Sequence, residues 1–135
     1  MSWAGAEAAR GEEVLTCTCA PDSTASARGR MLVESWESKL DPEVLQIARL
    51  LVSELVSLSI RSQDHARAQS DVEVALRLNP WRLRIEVMRE SARFIFPAAD
   101  AETADLSLSL VDELADRWGM SRTSNGTVCW LEINC

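Results

Sequence analysis

The chain has 135 residues, 21 acidic against 14 basic, a formal net charge of −7 and a hydrophobic fraction of 47%. These figures fit one globular domain with a real core and exclude an intrinsically disordered chain. The acidic balance argues against a binder of nucleic-acid phosphates and against attachment to an anionic membrane.

Met1 to Glu12, rich in Ala, Gly and Glu, reads as a disordered tail, leaving 13–135 as a single domain. It lacks the basic start and apolar stretch of a secretory signal, and no apolar run is long enough to span a bilayer. The expected location is therefore cytoplasmic. Glu13 to Cys19 alternates like a first strand. Pro21-Asp22-Ser23 resembles a helix start, with Asp22 or Ser23 as cap, leading into a helix over Thr24 to Glu37. Leu40-Asp41-Pro42-Glu43 is a second start, with Asp41 capping and Pro42 in the first turn. That helix runs to Arg61 and is apolar over a wide surface.

Gln63 to Ser70 is polar and reads as a loop containing the one histidine, His65. Asp71 to Leu78 and Arg82 to Met88 both alternate, with Val72, Val74, Leu76 and Leu78, then Leu83, Ile85 and Val87, pointing inward. Joined by Asn79-Pro80-Trp81, they predict a hairpin with one wet face. Arg89 to Asp100 reads as irregular. A third helix is expected over Ala101 to Arg117, ended by Trp118-Gly119. Met120 to Thr123 and Thr127 to Ile133 predict a second hairpin around an Asn-Gly turn. Cys17, Cys19, Cys129 and Cys135 lack zinc-type spacing, and no metal site is expected of them. They read as small buried hydrophobes of a reducing compartment.

Two segments carry a resemblance. Leu50-Leu51-Val52-Ser53-Glu54-Leu55-Val56-Ser57-Leu58-Ser59-Ile60-Arg61 resembles the helix that holds the catalytic glutamate and metal-binding asparagine of histidine-kinase/Hsp90-type (GHKL) ATPases. Within them it is similar to the anti-sigma-factor serine kinase family of actinobacteria. Leu108-Ser109-Leu110-Val111-Asp112-Glu113-Leu114-Ala115-Asp116-Arg117-Trp118-Gly119 is similar to the helix after that family's second glycine box. Leu83-Arg84-Ile85-Glu86-Val87 reads like the strand before its first glycine box.

The resemblance implies an α/β two-layer sandwich: a mixed, mostly antiparallel sheet with about three helices on one face. It also assigns roles. Glu54 stands at the position of the catalytic base. Leu58 stands where the asparagine would hold Mg²⁺, and a leucine has no lone pair to offer. Arg89 aligns with the aspartate that reads the adenine amino group, with Glu90 a substitute if the register slips by one. Asp105 and Ser107 replace phosphate-box glycines, and Leu106 the arginine between them.

Phosphoryl transfer depends on positioning and charge neutralisation, and these exchanges touch both. The first expectation is a non-catalytic regulatory protein with a decayed ATP site. It would bind a sigma factor or an anti-sigma-factor antagonist, with a homodimer also possible, and would need no cofactor. The alternative is an active ATP-dependent serine/threonine kinase using ATP and Mg²⁺, with Glu54 as base and Glu90 reading adenine. A third is a small-molecule sensor using an emptied pocket around Leu58, Phe94 and Phe96.

Overall fold

The computed structural model describes residues 11–61, 70–90, 101–123 and 126–135. His65, Phe94, Phe96 and the Asn125 turn lie outside them, as does most of the expected N-terminal tail. The element order is β1 (Glu13–Cys19), α1 (Ala25–Glu34), α2 (Pro42–Arg61), β2 (Val72–Leu78), β3 (Arg82–Glu90), α3 (Ala101–Leu114), β4 (Arg117–Thr123) and β5 (Gly126–Asn134). The strands form a five-stranded sheet in the order β1-β2-β3-β5-β4. Every pair in it is antiparallel. The helices pack on one face, giving the α+β two-layer sandwich. Among the described residues no helix is long and apolar enough to cross a membrane.

The register explains the core. Cys17 lies opposite Val74, Val74 opposite Val87 and Val87 opposite Cys129, so one apolar row crosses four strands. The next row runs Leu15, Leu76, Ile85, Leu131 and Trp118. Period-two alternation puts all of these on the same face. Against it lies α2, which packs between α1 and α3 and over β3 and β5. Leu51, Val52 and Val56 of α2 are fully buried. Each such side chain contributes roughly 1.5–3 kcal/mol. Gly29 lets α1 come close, since a Cβ there would meet Val52 Cγ2 at 3.2 Å.

The helix starts follow from local chemistry. Leu45 N–H donates to the Asp41 carbonyl at 2.8 Å, closing the first turn of α2 behind Pro42. The cap of α1 is Thr24, one residue beyond the expected pair, and Asp22 Oδ1 accepts from the Thr24 N–H at 2.8 Å.

Three boundaries differ from expectation. Helix α1 ends at Glu34, and 35–39 form turns. Strand β3 continues through Arg89 and Glu90, because Thr127 and Gly126 of β5 offer ladder partners. Arg89 is therefore a strand residue, not part of an irregular loop. Helix α3 stops at Leu114, and Trp118-Gly119 lie inside β4 instead of capping a helix. There Asp116 N–H donates to Glu132 O at 2.9 Å and Asp116 Oδ2 accepts from the Asn134 N–H at 2.6 Å, which turns the chain into the ladder.

Candidate functional site

The C-terminal half of α2 and the end of β3 meet where the resemblance places its nucleotide. Glu54 is half-buried and Leu58, one turn on, is 1% exposed. Leu58 is thus core, and its side chain carries no lone pair for a metal. Arg89 continues the inward alternation of Leu83, Ile85 and Val87, so its side chain lies beneath α2. It is fully buried. Its Nη2 donates to Ser70 O at 2.8 Å and its Nη1 reaches Ser59 O at 3.5 Å. Burial pushes the guanidinium below its ordinary pKa, and the Asp71 carboxylate opposes that. The Ser59 hydroxyl is buried with no hydrogen-bond partner among the described residues.

Glu90 closes β3 opposite Gly126. Asp105 and Ser107 lie beyond the first turn of α3, which starts at Ala101. Only the first four N–H groups of a helix are free to cradle an anion, so those of Asp105 and Ser107 are taken up in the helix. Of the described side chains here, Leu58 offers no lone pair to a metal and Arg89 offers a cation with donors only. Among the described residues no group of three or more His, Cys, Asp and Glu side chains is placed to hold a metal.

All four cysteines are free. Cys19 and Cys129 are buried as expected, Cys17 is half-buried and Cys135 is exposed, which departs from the expectation of four buried thiols. Burial pushes the Cys129 thiol up to about 12. Burial is also the main cause that raises Cys19, to about 11, with further contributions from Cys17, Asp22 and Asp71. Neither is an activated nucleophile.

Clefts are present among the described residues. One of about 410 Å³ is bounded by Glu13, Lys39, Asp41, Asn79 and Cys135, with Lys39 Nζ bridged to Glu13 at 2.7 Å. Another of about 360 Å³ lies at the start of α1, beside Asp22, Ser26 and Ser57.

The face of the sheet turned away from the helices carries a charge cluster that sequence reading registered only as a wet face. Glu132 on β5 is 7% exposed and receives three guanidiniums. Arg117 Nε donates at 2.8 Å, Arg84 Nη1 at 3.1 Å and Arg82 Nη1 at 3.3 Å. Glu86 bridges Arg84 and Arg77, and Arg77 also reaches Glu12. Burial alone would raise the Glu132 carboxyl, but hydrogen bonds from Arg117 and Arg84 and the charge of Arg82 outweigh it and hold it below its ordinary value. The Arg84 guanidinium lies over the Trp130 ring, 4.4 Å from its centroid. The indole lies over Gly119, where a Cβ would meet Trp130 Cζ2 at 2.8 Å. Alternation within β3 signalled Arg82, Arg84 and Glu86. The second hairpin was expected, but neither the β3–β5 pairing nor the extension of β4 back to Arg117, which bring Arg84 and Arg117 to Glu132, carried a local signal.

No family model matches the chain, and no curated protein is significantly similar to it.

Proposed function

We propose that this chain is a non-catalytic regulatory module that acts by binding a protein, in control of transcription through a sigma factor or an anti-sigma-factor antagonist. The observation that carries the reading is the pairing of Leu58 and Arg89. The position of a metal-ligating amide holds a core leucine, and that of the base-reading carboxylate holds a buried guanidinium bonded to main-chain oxygens. A metal-bound triphosphate needs hard oxygen ligands and a cradle of free N–H groups. The side chains of Leu58 and Arg89 and the helical setting of 105 and 107 supply neither. A binding surface for a protein has no such requirement, so the fold can serve without the chemistry.

Calorimetric titration with ATP, with and without Mg²⁺, tests the first half of the reading. No saturable heat is expected up to millimolar nucleotide. Micromolar binding would overturn the reading in favour of an active kinase with Glu54 as its base. Titration with the purified sigma factor and antagonist of the same host tests the second half. A stable complex with one of them is expected, and its affinity should be unchanged by Glu54→Ala.

A further inference from the structure

We propose that the open face of the sheet, at the end formed by Arg82, Arg84 and Arg117, is a docking site for an acidic segment of a protein partner. This rests on the reading of the chain as a protein-binding module and names the surface that would do the binding.

The argument is one of layering. Glu132 and Glu86 lie against the sheet, with side chains 9% and 10% exposed, while those of Arg82 and Arg117 are each 44% exposed. The carboxylates sit below and the guanidiniums sit above. The four arginines Arg77, Arg82, Arg84 and Arg117 face three carboxylates, Glu12, Glu86 and Glu132. The local excess is one positive charge, on a chain whose formal net charge is −7. Arg77 and Glu12 are covered to a similar degree, but Arg82, Arg84 and Arg117 are all more exposed than Glu86 and Glu132, so at this end the layer that meets solvent is cationic.

The array is also pre-organised. Arg84 is fixed by Glu86, Glu132 and the Trp130 ring. Gly119 is what lets that ring lie flat. The Nη2 of Arg84 and the Nε and Nη2 of Arg82 have no acceptor among the described residues. A guanidinium fork presents its remaining N–H groups in a geometry that matches a carboxylate. Fixing it beforehand removes much of the entropy cost of binding. Arg84 and Arg117 flank Glu132 in one row across three adjacent strands, two spacings of about 4.8 Å apart, so one segment laid across the row can offer a carboxylate to each. Aspartate and glutamate on protein are favoured over nucleic-acid phosphate, because the rest of the surface is acidic and would repel a polyanion tens of charges long.

The test uses the full chain and a fluorescein-labelled decapeptide rich in Asp and Glu, followed by anisotropy. Controls are the same peptide with Asn and Gln, and a single-stranded oligonucleotide of ten residues. The acidic peptide should bind with an affinity that falls as salt rises, and the amide peptide should bind at least tenfold more weakly. Arg82→Gln with Arg117→Gln should weaken the acidic peptide at least tenfold. Arg49→Gln, on α2 and paired with Glu34, should leave it unchanged. Circular dichroism confirms folding, and the single Arg82→Gln variant, exposed and peripheral, should still show a severalfold loss. Four results would overturn the proposal: no peptide binding, equal loss in the Arg49 variant, tighter binding of the oligonucleotide, or self-association in sedimentation that the double variant abolishes. Nucleotide calorimetry is independent of this face, so failure here leaves the non-catalytic reading standing.

Discussion

Replacing Leu58 by asparagine introduces the amide that the resemblance expects at that position, and the structure sets what it should cost. Leu58 is 1% exposed, so the variant loses roughly 1.5–3 kcal/mol of apolar burial. The new amide is buried at a further ~1–3 kcal/mol if it goes without partners. Glu54, one turn earlier and half-buried, can recover at most about 0.5 kcal/mol by accepting from it. The expected loss is therefore about 3–5 kcal/mol, which for a domain of this size lowers Tm by roughly 10–20 °C. Urea and thermal unfolding followed by circular dichroism measure it directly. Two results would refute the reasoning. A loss under about 1 kcal/mol would mean that the side chain at 58 faces water. A variant Tm that climbs with added Mg²⁺-ATP would mean that nucleotide binds the folded state and that only the amide had been missing.

Other expectations follow from named contacts. Gly119→Ala places a Cβ 2.8 Å from Trp130 Cζ2, so the indole must lift and the Arg84 stack is lost; about 1–2 kcal/mol of destabilisation is expected in urea unfolding. Glu132→Gln leaves three guanidiniums facing a neutral amide and should cost about 3 kcal/mol near neutral pH. The folded Glu132 carboxyl is held below its ordinary 4.5, so its contribution is full above that value and is lost as pH falls through the lower, folded one. Melts of wild type and variant should accordingly converge below about pH 4.5, and a constant gap down to pH 2 would contradict the ion-pair assignment. With iodoacetamide near pH 8, exposed Cys135 should be alkylated first, and buried Cys19 and Cys129 only after unfolding, as peptide mass spectrometry would read.

Strong periodicity carried most of the fold. The alternation in β2 and β3 and the wide apolar surface of α2 each specified both an element and its buried side. The ends were less legible, because they depend on partners distant in sequence. Nothing local marks Arg89 and Glu90 as strand, since what extends β3 is the ladder to Thr127 and Gly126. Likewise the stretch from Asp112 to Arg117 has helical composition, yet Arg117 opposite Glu132 and Trp118 opposite Leu131 draw its end into the sheet. Of the candidate site, the lack of a metal-binding lone pair at Leu58 was readable as chemistry. That its side chain belongs to the core required the packing of α2.

The burial of Arg89 is then a consequence of its neighbours and not an independent choice. Its side is fixed by Leu83, Ile85 and Val87, all fully buried. A one-residue slip of β3 would turn Arg89 outward, toward the other arginines, but would expose all three. That slip forfeits roughly 5–9 kcal/mol of apolar burial. Burying one guanidinium with oxygens to receive its protons costs several kcal/mol less the hydrogen bonds it makes, here to Ser70 O and Ser59 O. The strand therefore keeps its register and the cation goes inside. An aspartate in the same place would be carried inward by the same three residues.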